Sequence, residues 1–411
     1  MSEDALRRRL SRLGSRKRKK STPVQRAPKP AALPIGEDVE TPLGKAYRIE
    51  QLFTQDHLHG SFRLDAARRF SAEMIAKVTG KPDVAEIESD KLVYLDTETT
   101  GLAGGAGTIV FLVGVGVFHR DVFRLRQYFL RNPGEEAGML SALQEDLEAA
   151  AGFVSFNGRV FDLPLLEMRY MLSMRRRWQL TAYPQVDLMY PARRLWRRSL
   201  PDCTLNTIER MQLGVQRSDE DVRGDLIPGI YHEYLRTGET LEIARVIYHN
   251  AVDVLSLVSL SAALMSRFQA GDPSRLSGGE ALALGRWHSA QGRFEDAEAA
   301  FIAALKNTEP ALKVEALQRY TGYLKRQDRR KDAVEGWEMW HTLAPDDPKP
   351  CIELAMYYEW HAQDLSKAHG WSEKALQCLS HWPQDWRRDE SRTKIEHRLE
   401  RLARKMEADE D

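Results

Sequence analysis

Three short stretches of this 411-residue chain carry side chains that could do acid–base or metal chemistry. The first is Asp96-Thr97-Glu98, which closes an apolar run from Leu92 to Leu95. Alternation along a strand puts residues 96 and 98 on one face with their carboxylates close together. Two like charges so placed cost free energy unless a cation lies between them. Hard oxygen donors of this kind select Mg²⁺ or Mn²⁺. Alone, the Asp-x-Glu pattern also occurs at solvated strand ends. Its position between a buried strand and Thr99-Thr100-Gly101-Leu102 strengthens the metal reading.

The second stretch, Ser155 to Asp162, reads as strand, Asn157-Gly158 turn and helix start. Asp162 falls in the first helical turn, where the macrodipole favours a carboxylate. Taken singly it is an ordinary acidic residue at a helix N-terminus. The third, Tyr248-His249-Asn250-Ala251-Val252-Asp253, sets His249 and Asp253 four apart on one helical face. A histidine there could deprotonate water while the aspartate holds a metal. Without the other two stretches, such a pair more often decorates a solvated helix.

These residues need a scaffold, and the pattern from Lys91 onward supplies an α/β one. Strands are predicted over 92–95, 108–118, 122–129 and 153–156, and helices over 134–150, 161–172 and 241–268. That order predicts a mixed sheet flanked by helices. Residues 35–90 read as an approach segment packed on this domain, with a helical pattern near 66–78. After Gly271-Asp272-Pro273 the texture is wholly helical, so an all-α domain is expected over 277–411. There, Ala297, Ala333 and Ala368 recur 36 and 35 residues apart, with Phe301, Trp337 and Trp371 following. Small residues at helix crossings capped by aromatics are what stacked helical hairpins need. The spacing resembles tetratricopeptide repeats, whose period is about 34; irregular hairpins without that ancestry fit as well.

Composition bounds the rest. The chain is 42% hydrophobic and 29% charged, an ordinary globular balance. Its 60 basic and 60 acidic residues cancel, so total charge identifies no partner. Eleven of the first 30 residues are Lys or Arg against two acidic ones, and residues 1–34 read as a disordered basic tail. Such a tail either neutralises phosphates or merely solubilises. Three scattered cysteines fit a reducing, cytoplasmic setting. No uninterrupted apolar run approaches the roughly 18 residues of a membrane span, and no membrane partner is expected.

In their order, the three stretches resemble the Exo I, Exo II and Exo III motifs of the DEDD exonuclease superfamily. They are most similar to its bacterial YprB-like branch of ribonuclease H-like exonucleases. The phrase Asp96-Thr-Glu-Thr-Thr-Gly-Leu102 and the block Asn157-Gly-x-x-Phe-Asp162 carry the resemblance, which spans residues 90–265. It implies an α/β RNase H-like domain over 91–270, followed by the helical repeats. It also implies that Asp96, Glu98, Asp162 and Asp253 ligate two Mg²⁺ or Mn²⁺ ions for in-line phosphodiester hydrolysis. His249 holds the position of the DEDDh general base, and its ordinary pKa near 6.5 would suit that task. Thr99, Thr100, Gly101 and Leu102 would meet the terminal nucleotide, and Asn157 would fix the turn that presents Asp162.

One departure is the glycine-rich insertion at 103–107, read as a site rim. Arg193, Arg194, Arg197 and Arg198 recur on one helical face near Leu195 and Trp196, a pattern suited to phosphates of a single-stranded nucleic acid. An ordinary solvated face is the alternative. The expected function is 3′–5′ exonuclease activity on single-stranded DNA or RNA. A competing expectation is a non-catalytic docking scaffold whose repeats bind a protein partner. A structure-specific endonuclease would share the same metal chemistry.

Overall fold

The β-branched and aromatic runs expected to pair do so. In the computed structural model, which describes residues 33–101, 105, 107–306 and 309–410, seven strands form one mixed sheet. They are β1 (Glu37–Thr41), β2 (Gly44–Thr54), β3 (Leu92–Thr99), β4 (Val110–His119), β5 (Val122–Phe129), β6 (Gly152–Ser155) and β7 (Gln185–Asp187). Their order is β1-β2-β5-β4-β3-β6-β7. The pairs β1–β2, β2–β5, β5–β4 and β4–β3 are antiparallel, whereas β3–β6 and β6–β7 are parallel. The expectations for the basic tail, for Leu102 and for most of the glycine-rich insertion lie outside the described residues.

The approach segment is more integrated than its pattern suggested. Residues 37–54 supply two strands, and β2 pairs with β5 from Tyr47↔Phe129 to Thr54↔Val122. The helical pattern near 66–78 breaks into a 3-10 turn, Leu64–Arg69, and α1 (Ala72–Thr79). Ser71 caps α1, its hydroxyl accepting from the Met74 N–H, because a serine oxygen satisfies one of the unpaired first-turn amides.

Five longer helices also belong to this α/β part: α2 (Glu136–Glu148), α3 (Asp162–Met174), α4 (Met189–Trp196), α5 (Ile227–Thr237) and α6 (Leu241–Phe268). The last is apolar enough to cross a membrane by length and composition, but 83% of its most apolar window is buried inside the fold. It is a core helix lying on β3 and β4. Two glycines of β4 let it come close. A Cβ at Gly114 would sit 2.5 Å from the Asn250 side-chain oxygen, and one at Gly116 would sit 2.8 Å from Val254.

Seven helices follow: α7 (Gly278–Ala290), α8 (Phe294–Lys306), α9 (Pro310–Arg326), α10 (Arg330–Leu343), α11 (Pro348–Trp360), α12 (Leu365–Cys378) and α13 (Trp386–Glu410). From α8 onward each packs on the one before it, and Trp287 of α7 meets Phe268 of α6 edge-on. Ala297, Ala333 and Ala368, the recurring alanines, are fully buried, as are Phe301 and Trp337. The apolar core of the α/β part runs on into this array, where Ala283, Leu284, Trp287 and Ala300 join Val254, Leu257 and Leu264. The Trp196 indole N–H donates to Glu280 Oε1 at 2.8 Å across the same junction. The array also gathers His341, Cys351 and Cys378, distant in sequence, with Cys351 Sγ 3.3 Å from His341 Nδ1.

Candidate metal-binding active site

Leu92 and Tyr94 of β3 pack in the same apolar cluster as Val254 and Leu257 of α6, and Asp96 and Glu98 continue that face. Asp96 lies opposite Gly114 in the register, and the pairing shifts between Glu98 and Thr99. A bulge at a strand end re-aims the side chains around it. Asp96 Oδ2 accepts a hydrogen bond from Asn250 Nδ2 at 2.8 Å. Asn250 is fully buried, and its side-chain oxygen accepts from Gln127 Nε2 at 2.9 Å. A chain of amides from β5 through α6 thus fixes one carboxylate on β3.

Asp162 arrives from the other side of β3. Asn157 adopts φ +68°, the left-handed region that asparagine tolerates, and its N–H donates to Asp187 Oδ1 at 2.9 Å. The next residue must be small, since a Cβ at Gly158 would lie 2.6 Å from Ser155 and 3.1 Å from Asp162 Oδ2. This turn starts α3 at Asp162, whose Oδ1 accepts from the Thr97 hydroxyl. Asn157 therefore occupies the turn ahead of Asp162, as the sequence suggested. Asp187 holds that turn from β7 and also accepts from the Met189 N–H at 3.1 Å.

α6 brings the remaining groups. His249 Nε2 lies 3.4 Å from Asp253 Oδ2 and 3.9 Å from Glu98 Oε1. His249 Nδ1 faces Asp221 Oδ1 at 2.7 Å and Arg217 Nη1 at 2.9 Å. The Asp221 carboxylate can only accept and the Arg217 guanidinium can only donate, so they make opposite demands on Nδ1. The shorter Asp221 contact favours a proton there, which leaves Nε2 toward the acidic cluster. Arg217 donates to both oxygens of buried Glu209, at 2.6 and 2.7 Å, and pairs with Asp253 as well.

The electrostatics of this cluster are one-sided. Burial, then the charges of Asp253, Glu98 and Asp162, push the Asp96 carboxyl well above the ordinary carboxylate range. Burial pushes Glu98 up to about 8, with Asp253 and Asp162 adding to it against the opposing His249 and Arg217 charges. Burial also lifts Asp162, to about 6, although the hydrogen bond from Thr97 opposes it. These anions are short of positive charge. Oxygen donors gathered from β3, α3 and α6 fit a hard divalent cation, and Glu98, His249 and Asp253 each present a donor atom within 4.8 Å of the others.

His249 differs from the sequence expectation. Burial alone would lower it, but the Asp221 hydrogen bond and the charges of Asp253 and Glu98 outweigh that and lift it to about 9. An imidazole surrounded by anions holds its proton until their charge is neutralised.

The structure therefore brings Asp96, Glu98, Asp162, His249 and Asp253 together. It assigns other work to several expected substrate contacts. The Thr99 hydroxyl donates to the Gly101 carbonyl at 2.9 Å, and the Thr100 hydroxyl accepts from the Ile109 N–H at 3.0 Å. Both hydroxyls help to close the loop. Arg193, Arg194, Arg197 and Arg198 line a groove against α7; α4 ends at Trp196, so the last two lie beyond the helix. Sequence reasoning missed Asn250, Arg217 and Asp221. Asn250 was detectable, because it sits on the apolar stripe Ile243, Ile247, Asn250, Val254, where a polar residue needs a partner. Arg217 and Asp221 come from an irregular segment with no periodicity to read.

Comparison with known proteins bears on the domain that carries this cluster. Residues 93–265 match the RNase_H superfamily. A 114-residue stretch is 26% identical to the DNA polymerase III PolC-type of Mycoplasma pneumoniae, covering 23% of this chain and 8% of that protein. Over 330 residues the chain is 30% identical to the uncharacterized protein YprB of Bacillus subtilis (strain 168), covering 77% of this chain and 75% of that one. At that identity and coverage, this chain belongs to the YprB family, with a nuclease-like RNase H superfamily domain at its centre.

Proposed function

We propose that this protein is a divalent-metal-dependent 3′–5′ exonuclease of the DEDDh kind acting on single-stranded nucleic acid. The observation that carries the reading is the convergence of Asp96, Glu98, Asp162 and Asp253, with His249 Nε2 turned toward them. The 3′–5′ direction follows from the resemblance of the three motifs to DEDD exonucleases. In this reading the four carboxylates hold two Mg²⁺ or Mn²⁺ ions, which would polarise the phosphodiester and stabilise the leaving 3′-oxygen. Asn250 orients Asp96, and Thr97 orients Asp162. His249 takes the proton of the attacking water at Nε2, and Asp221 steadies the resulting imidazolium through Nδ1. The helical array is read as tetratricopeptide-like on the spacing of its buried alanines.

The test is release of mononucleotides from end-labelled DNA and RNA strands by the purified full chain, with Mg²⁺, with Mn²⁺ and with chelator. Metal-dependent release from the 3′ end supports the proposal. Cleavage within a circular strand would replace it with an endonuclease. Strand binding without any hydrolysis in either metal would favour the docking scaffold instead.

A further inference from the structure

The carboxylate cluster leaves a second concentration of charge unexplained. Arg193, Arg194, Arg197 and Arg198 line one wall of a hollow of about 510 Å³ whose other wall is α7, including Arg286. Arg286 and Ala290 continue into a neighbouring hollow of about 330 Å³ that carries Arg319 and Arg326 of α9. Seven arginines thus lie along one path in a chain with no net charge. The carboxylate that faces them is Glu315, which pairs with Arg198 and lies 3.7 Å from Arg319. Arg194 donates to the Val78 carbonyl at 3.0 Å. Among the described residues, Arg193, Arg197, Arg286 and Arg326 have no acidic partner. Burial, and then the charge of Arg319, holds Arg198 and Arg286 below their ordinary values.

The walls are fixed. Trp196 is tied to Glu280 across the junction, and Ser277 and Glu280 cap α7 reciprocally. Half-exposed Tyr190 offers a ring on the same surface. The path also starts near the chemistry. α4 leaves β7 directly after Asp187, which braces the Asn157 turn, and β7 lies two strand spacings, about 10 Å, from β3. From α4 across α7 to α9 the path spans two helix packings, roughly 20 Å, enough for several nucleotides. Forked guanidiniums with an aromatic platform suit phosphates and unstacked bases.

We infer that the arginines of α4 and its following turn, together with Arg286, Arg319 and Arg326 of the helical array, form one track for the backbone of a single-stranded nucleic acid leading to the carboxylate site. This rests on the nuclease reading above. It gives the first helical hairpins a part in holding substrate.

The test compares the full chain with Arg286→Gln/Arg319→Gln, whose altered side chains are exposed, and with the single variant Arg326→Gln as a check on folding. Anisotropy of a labelled 20-nucleotide strand in chelator reads binding, and hydrolysis of a tetranucleotide reads the site itself. Expected are an affinity loss of at least about tenfold in the double variant and a log–log salt slope shallower by about 1.4, two phosphate contacts' worth. Turnover of the 20-nucleotide strand at low concentration should fall in step with affinity, and tetranucleotide turnover by a smaller factor. Unchanged affinity and slope for both variants would overturn the track, as would displacement of the strand by polyglutamate as readily as by unlabelled strand. If both the native chain and the variants bind as expected but hydrolyse nothing, the track stands and the exonuclease reading falls.

Discussion

The carboxylate cluster and the arginine groove are both crowded with like charge, but they are built in opposite ways. The acids are buried (Asp162) or mostly buried and come from β3, α3 and α6, with Asp96 held by Asn250 and Asp162 by Thr97. The arginines are exposed, and four of them have no acidic partner among the described residues. A buried like-charge cluster implies a small, dry counter-ion that fits its donor atoms. An exposed row of guanidiniums implies an extended polyanion whose counterions it releases. Each region lacks the charge that one substrate complex would bring: cations at one end, phosphates along the other.

Charge removal in the first region should separate the two most sharply. Asp96→Asn should lower strand hydrolysis by about 10³-fold or more, on the scale of losing a group that stabilises transition-state charge, while anisotropy still reports wild-type affinity for a long strand. Joint loss of both would show that the cluster also carries strand binding, and the contrast would collapse. A smaller loss is expected from Asp221→Asn, which keeps the shape but no longer fixes His249 as firmly. Turnover should fall about 10- to 100-fold, as when a partner that orients a site residue is removed. The circular dichroism spectrum should be unchanged, and an unaltered rate would remove Asp221 from the machinery.

Gly114→Ala probes the packing beneath the acids. Its Cβ would press on Asn250, so urea unfolding should show a loss of about 1–3 kcal/mol. Wild-type stability would mean that α6 shifts freely, and that the amide chain does not position Asp96.

The mildest effect concerns pH. Asp162, Glu98 and His249 bind protons more tightly folded than unfolded, with folded values of about 6, about 8 and about 9. Their contribution to stability is complete below their unfolded values and is lost as pH rises through the folded ones. The thermal midpoint of chelated protein should therefore decline by a few degrees between about pH 5 and 9. Mn²⁺ should offset that decline most at the alkaline end. A flat profile would mean that the cluster is less deprived of positive charge than its geometry implies.

Most of the sheet was legible because its strands declare themselves locally. The runs at β4 and β5 and the apolar period of α6 place those elements within a residue or two of their observed ends. β1, β2 and the three-residue β7 were not, since a polar edge strand such as Glu37–Thr41 has no buried period to betray it, β2 owes its place to pairing with β5, and β7 to pairing with β6. The five acid–base residues could be named because each belongs to a short block with its own local constraint: a strand end, an Asn-Gly turn, a helical i, i+4 pair. Asn250 gave a usable sign as the polar member of an apolar stripe.

What the chain alone determined is therefore which side chains are candidates for the site, since spacing along a strand or helix already decides which share a face. Only the tertiary structure decided their company. Arg217 and Asp221 reach His249 from an irregular segment, and Arg286, Arg319 and Arg326 meet the α4 arginines because α7 and α9 pack there. Encounters between distant segments leave no period in the sequence, because they are set by how buried faces fit and not by local backbone geometry.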